Sequence, residues 1–287
     1  MRKLKEFIIE KLIFISGLAS IFFVVLIFLF LTKEGLAVFK YASPVDFLTG
    51  KSWYPISEPA QLGILPLIFG SLMVTLGAAI ISIPIGVACA VYIAEIAPLR
   101  IKEVLKAGIE LLAAIPSVVL GFIGMVTLVP WVKTVFHLPT GLTALSGSII
   151  LAFMAMPTIV SIAEDALYSV PKSYKEGAFA LGATHWQTIY RVLLPAASSG
   201  IVAAVMLGIG RVIGETMAVM MITGNAAVIP QNILVPVRTL TATIAAEMGE
   251  AVVGSEHYFA LFAIGIVLFI ISFIINVSAD LFLHKRH

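Results

Sequence analysis

The chain has 287 residues, of which 60% are hydrophobic and 12% charged, and its mean hydropathy is +1.09. A soluble globular domain carries about 45–50% apolar and about 25% charged residues, so this composition excludes an ordinary water-soluble fold and points to a chain solvated by lipid. The formal net charge of +2 singles out no partner, and the one cysteine, Cys89, sits in an apolar run as a small hydrophobe and excludes an intrachain disulfide.

A helix crossing a hydrocarbon core of about 30 Å needs about 20 apolar residues. Six stretches reach that length, which predicts an all-α membrane protein with six transmembrane helices in one transmembrane domain over residues 1–287. The first span, 12–31, is uncharged and follows the basic residues Arg2, Lys3, Lys5 and Lys11. Its apolar core is longer than the 7–15 residues or so of a signal peptide and no small-x-small cleavage pattern follows it, so it reads as a retained anchor. The second span, 65–94, contains Pro84 as a kink site, and the third, 111–131, contains Pro116. The fourth, 142–163, contains Pro157; interior prolines are tolerable where neighbouring helices satisfy the freed backbone groups. The fifth, 196–223, carries Arg211 and Glu215, and the sixth, 257–281, is uncharged until Asp280.

Orientation follows from Lys and Arg in the connections. One side holds Arg2, Lys3, Lys5, Lys11, Arg100, Lys102, Lys106, Lys172, Lys175, Arg191, Lys285 and Arg286; the other holds Lys33, Lys40, Lys51, Lys133 and Arg238. Twelve against five places both termini in the cytoplasm and the segments 32–62, 132–141 and 224–256 outside. No internal repeat, low-complexity tract or separate soluble domain stands out.

The cytoplasmic segment 164–195 reads as two short helices at an angle. Ser173 and Glu176 are spaced as a capping box, with Gly182 as the residue after the helix. Thr184 and Gln187 form a second capping box, opening a helix that Pro195 limits. Trp186, Ile189, Tyr190 and Leu193 recur at helical spacing and give that helix an apolar face. Such a compact knob suits transmission of force from a partner.

Glu176-Gly177-Ala178, Gly182, Val192 and Leu194-Pro195 resemble the EAA loop of ABC importer permeases, with Gly177 for the first alanine and Val192 for the isoleucine. The resemblance implies a type I ABC importer permease fold whose coupling helix docks into a cleft of an ATPase; Glu176, Gly177, Ala178, Gly182 and Pro195 would carry that role. The other reading is that Glu176 and Gly182 merely cap a helix, and both can hold at once. ATP would be bound by the partner subunit and the chain itself would be no enzyme. Gly50-Lys51-Ser52 imitates the end of a P-loop, but Val45 stands where the first glycine is needed.

Arg211 and Glu215 are four residues apart, which puts them on one helix face where they can pair. Ionisable groups within a span are costly and tend to face a cavity or the bundle interior, and a guanidinium offers paired donors to a tetrahedral oxyanion. A purely structural ion pair is the other reading. Gly210 and Gly214 form a G-x-x-x-G that admits another helix closely.

GRVIGETMAV, IELLAAIPSVVLGFIG, RTLTATIAAEMGEA, GSEHYFAL, WYP and LPLIFGSL resemble phosphate permeases of the PstC type over nearly the whole chain. That resemblance implies a substrate pathway at Arg211 and Glu215. It also implies a PstA-type permease partner, an ATPase dimer, a periplasmic or extracellular phosphate-binding protein, and a bacterial plasma membrane location with no nucleic acid. A PstA-type paralogue and a permease for molybdate, sulfate or phosphonate are the alternatives; a secondary transporter would place ion-binding carboxylates in broken helices with inverted repeats. Among the other polar residues, Glu110 reads as an interfacial anchor or a pathway residue, and His137 is a lone histidine. Glu247, Glu250, Glu256 and His257 lack metal spacing and read as a solvated face, and Met217, Met220 and Met221 read as core packing.

Overall fold

A computed structural model describes residues 2–284. Arg286 and Lys285, which entered the charge count, lie outside the described residues. Helix α1 (Arg2–Gly35) runs through the first apolar stretch, and α2 (Pro44–Thr49) follows with Ser43 as N-cap, its hydroxyl accepting from the Asp46 amide at 3.1 Å. A two-residue ribbon, β1 (Trp53–Tyr54) with β2 (Gln61–Leu62), pairs Trp53 with Leu62 and leads into α3 (Leu65–Val91), which ends in a π-helical turn at Tyr92–Ile96.

The third span departs from expectation. An amphipathic helix α4 (Leu99–Ala114) stops at Ile115, and the apolar run resumes as α5 (Ser117–Ile123), a π turn at Gly124–Leu128 and α6 (Val129–Val135). Pro116 is the cause. Its ring disfavours the helical region for the residue before it, and Ile115 sits at φ −68°, ψ 127°. The start expected at Leu111 therefore belongs to a separate helix, and the apolar helix begins at Ser117.

Thr143 caps α7 (Ala144–Tyr168), so residues 164–168 belong to this helix and not to the loop assigned to 164–195. Next come α8 (Lys172–Ala180), α9 (His185–Thr188), a π turn at Ile189–Leu193 and α10 (Leu194–Ala196). A 70° bend at Ala197 leads into α11 (Ser198–Ile213). Helix α12 (Met217–Ile222), the short α13 (Leu240–Glu247) and α14 (Glu256–His284) complete the chain. Pro195 falls at the start of α10 instead of limiting the helix before it, because the π turn absorbs its missing donor; the stop is at Ala197. Among the described residues, five helical segments are long and apolar enough to cross a membrane, or six if the bent pair counts as one span.

Helices α3, α7 and α11 form the centre. Their packing relies on small residues, since between helices in lipid close backbone approach replaces the hydrophobic drive. A Cβ on Gly208 would stand 2.5 Å from Ile159 of α7, and one on Gly77 would stand 2.3 Å from the Ser148 hydroxyl, which donates to the Ala144 carbonyl at 2.8 Å. At the α2 end a second cluster gathers Phe47, Trp53, Ile64, Leu67, Leu240, Leu261 and Ile264. Helix α1 lies along α14 through Phe30–Phe262 and Phe28–Phe269 contacts.

Candidate functional site

The fifth apolar run is broken where its charges sit. Helix α11 ends with Gly214 as C-cap, and the Glu215 amide turns back to the Val212 carbonyl at 3.2 Å, a tightened turn that no longer continues the helix. Thr216, at φ −119°, ψ −57°, then opens α12. Arg211 is therefore in the last turn of α11, and Glu215 lies in the break. Its carboxylate accepts from the Ala218 amide at 3.1 Å and caps α12.

The expected Arg211–Glu215 pair does not form: among the described residues no carboxylate lies within 4.0 Å of the Arg211 guanidinium. The four-residue spacing assumes an unbroken helix, and the break at Gly214 turns Glu215 off the Arg211 face. Ala204, Gly208 and Val212 pack inward from α11, while Leu207, Arg211 and Gly214 are exposed. A Cβ at Gly210 meets nothing within 4 Å, so among the described residues no helix fills the G-x-x-x-G. Arg211 thus stands on an open face of the chain.

At the other end of α3 the knob of α8 and α9 is built from two local caps. Helix α8 has Pro171 as its N-cap with no side-chain bond, so the Ser173–Glu176 box does not form; Ser173 is already inside the helix that Pro171 starts. The far end is a Schellman turn: the Ala183 amide donates to the Ala178 carbonyl at 3.0 Å and the Gly182 amide to Phe179 at 2.9 Å. Gly182 takes φ +80°, the conformation that glycine adopts without strain. The Thr184–Gln187 box is present, with the Thr184 amide donating to Gln187 Oε1 at 2.8 Å and the Gln187 amide to Thr184 Oγ1 at 3.3 Å.

The knob is anchored by Ile189 and Leu193, packed with Val91, Leu167 and Ala197, and by Lys175 Nζ at 2.5 Å from Glu95 Oε2. Trp186 and Tyr190, expected on the same apolar face, are instead exposed, as are Tyr174, Phe179 and Leu181. Glu176, Gly177, Gly182 and Pro195 are also exposed, while Ala178 is buried.

Two polar clusters were not legible in the sequence. Glu164 is 1% exposed; its carboxylate meets Lys106 Nζ at 3.2 Å and Lys102 Nζ at 3.8 Å, joining α7 to α4. At the far end, Glu247 and His257 are not a solvated face. The Glu247 carboxylate accepts from Trp53 Nε1 at 3.0 Å and from Arg238, and meets His257 Nε2 at 2.9 Å, beside a cavity of about 620 Å³. The donors come from three other segments, Trp53 from the ribbon and Arg238 and His257 from beyond either end of α13, so no helical spacing announces the cluster; an isolated Trp in a polar loop, needing an acceptor once buried, was the one available hint. Glu250, Glu110 and His137 form none of these contacts, and Met217 is exposed while Met220 and Met221 are half-buried.

Comparison with known proteins agrees with this architecture. The model of the "Binding-protein-dependent transport system inner membrane component" family matches residues 82–286. A probable ABC transporter permease of Bacillus subtilis, YqgH, is 45% identical over 87% of this chain and 82% of its own length. The phosphate transport system permease PstC of Mesorhizobium japonicum is 36% identical over 80% of this chain and 75% of its own. Among solved structures, the MetNI methionine ABC transporter aligns with a TM-score of 0.62 at 20% identity, covering 80% of this chain and 99% of that one. A bacterial alginate ABC transporter aligns at 0.63 and 16% identity, covering 99% of both chains. The fold is that of a type I ABC importer permease, and with its apolar helices the chain is a multi-pass membrane protein of the binding-protein-dependent transport system inner membrane component family.

Proposed function

We propose that this chain is the PstC-type permease subunit of an ATP-driven importer and lines the path for inorganic phosphate together with a related PstA-type subunit. The observation that carries the reading is the open Arg211 on α11, within a chain similar over most of its length to phosphate transport permeases. An unpaired guanidinium at bilayer depth costs on the order of 3 kcal/mol or more. It is tolerable where the face bearing it borders water or a second subunit. The open Gly210 surface beside Arg211 offers a second helix close approach, which completes such a path between two chains.

With its carboxylate engaged in capping α12, Glu215 leaves the Arg211 donors free for a passing oxyanion. The fork of the guanidinium matches two oxygens of phosphate at once. Conduction also requires weak enough binding for release, and a carboxylate close by in the chain keeps the local field from becoming a trap. The exposed knob of α8 and α9 docks the ATPase dimer, which binds ATP. Both termini then face the cytoplasm of a bacterial plasma membrane, and an extracytoplasmic phosphate-binding protein delivers the substrate to the end that carries Glu247.

The test is phosphate uptake in vesicles holding this chain with its partner permease and ATPase, with subunit abundance measured alongside. A charge-assisted hydrogen bond is worth about 1.5–3 kcal/mol, so Arg211→Gln lowers uptake about 10- to 150-fold at unchanged abundance. Arg211→Lys falls in between, since a point charge lacks the fork. Undiminished uptake in Arg211→Gln removes Arg211 from the path. Uptake of molybdate or sulfate in place of phosphate by the unaltered chain refutes the substrate.

A further inference from the structure

We infer that α13 is a strut by which Glu247, at the opposite end of that helix, positions the break that carries Glu215; Glu247 is thus a positioning residue for transport. The inference deepens the proposed function and rests on the Arg211–Glu215 break being part of the path.

Helix α13 spans eight residues, about 12 Å. Its first turn is fastened to the break. Thr241 Oγ1 donates to the Glu215 carbonyl at 2.8 Å, and among the described residues no backbone amide is bonded to that carbonyl. The Leu240 amide donates to Ser71 of α3 at 2.9 Å, and Thr239 caps the helix by accepting from the Ala242 amide at 3.2 Å. Leu240, Thr241, Ala242 and Thr243 are all buried, so this end cannot slide without unpacking.

The segment entering α13 is tied to the far end of α12. The Val237 amide donates to the Thr223 carbonyl at 2.9 Å just past the end of α12, and the Arg238 carbonyl lies where a Cβ on Gly70 would come within 2.3 Å. One end of α12 is therefore tied to α13 at Glu215 and the other to the segment before it. The arrangement is held from outside by Glu247, the last residue of α13. It grips Arg238, whose Nε also donates to the Asn225 carbonyl at 3.0 Å, together with Trp53 of the ribbon and His257 of α14. One carboxylate, 17% exposed, thus fixes four segments against each other. Losing its charge frees Arg238 and the C-terminal end of α13 together, and α13 leads from there to its bond with the Glu215 carbonyl.

The experiment uses the chain within its transporter, with Cys89→Ser as background and Gly214→Cys, at an exposed position in the break, as reporter. The readout is the rate of reaction of that cysteine with a small thiol reagent, followed by mass. Mutations along a coupled network change such equilibria by about two- to thirtyfold. Glu247→Gln is expected to change the rate within that range, and Glu250→Gln, in the same cavity but outside the network, to leave it within about twofold of the parent. Thr241→Val cuts the strut at its other end. The double variant Thr241→Val with Glu247→Gln then differs no further than the larger single change, because both break one linkage.

A parental thiol rate in Glu247→Gln overturns the inference, as do effects of the two variants that multiply. If Glu247→Gln fails to accumulate, Thr241→Val alone decides: a parental rate at Gly214→Cys overturns the inference. The thiol rate needs no substrate, so absent phosphate uptake in the unaltered transporter refutes the proposed function separately.

Discussion

The Glu164 cluster makes a quantitative prediction about what holds α4 to the bundle. Its carboxylate is 1% exposed and faces two ammonium groups, at 3.2 Å and 3.8 Å, while the Lys102 and Lys106 side chains are 22% and 43% exposed. At an effective dielectric constant of about 20 each contact is worth about 4–5 kcal/mol of Coulomb energy, most of which offsets the desolvation of the buried carboxylate. Either lysine suffices to compensate the charge. Lys106→Ala therefore costs about 1 kcal/mol or less, its exposure screening the pair. Lys102→Ala costs about 0.5–1 kcal/mol more, because its ammonium also lies 3.9 Å from the Tyr168 ring centre.

Removing both lysines leaves a buried carboxylate alone, at about 3–5 kcal/mol, well above the sum of the single losses. Glu164→Gln in the double-alanine background restores most of that loss, since the stranded charge has gone. The measurement is thermal stability of the purified protein in detergent, read as the fraction remaining monodisperse after heating. A double variant no less stable than the sum of its singles refutes the reasoning and places the cost of burying Glu164 elsewhere.

Two more outcomes follow from the knob and from topology. Gly182→Asp forces φ +80° on a side chain and costs about 1–2 kcal/mol locally, so the variant is expected to insert and assemble while hydrolysing ATP without proportionate phosphate uptake; normal coupling would detach this turn from the ATPase contact. With Cys89→Ser as background, cysteines at Ser57 and Ser255 should react with an impermeant reagent added outside intact cells and one at Ser173 should not; the reverse pattern inverts the chain in the membrane.

Where the physics is local, the sequence was enough. Apolar run lengths mark the membrane-long helices because transfer into lipid depends on composition summed over about 20 residues. Gly182 and the Thr184–Gln187 box were legible because the bonds they make reach only three to five residues along the chain. Local rules failed where two compete: Pro171 took the cap that Ser173 was expected to hold, and Pro116 ended α4 within the third apolar run. Tertiary structure alone decided the polar chemistry. The Arg211–Glu215 spacing described a pair only on an unbroken helix, and the backbone chose to break at Gly214, with α13 meeting the carbonyl that the break leaves bare. Glu247 looked solvated because its donors, Trp53, Arg238 and His257, lie in three other segments of the chain. A buried charge is stable only beside its partners, and partners brought together by folding leave no periodicity in the sequence to read.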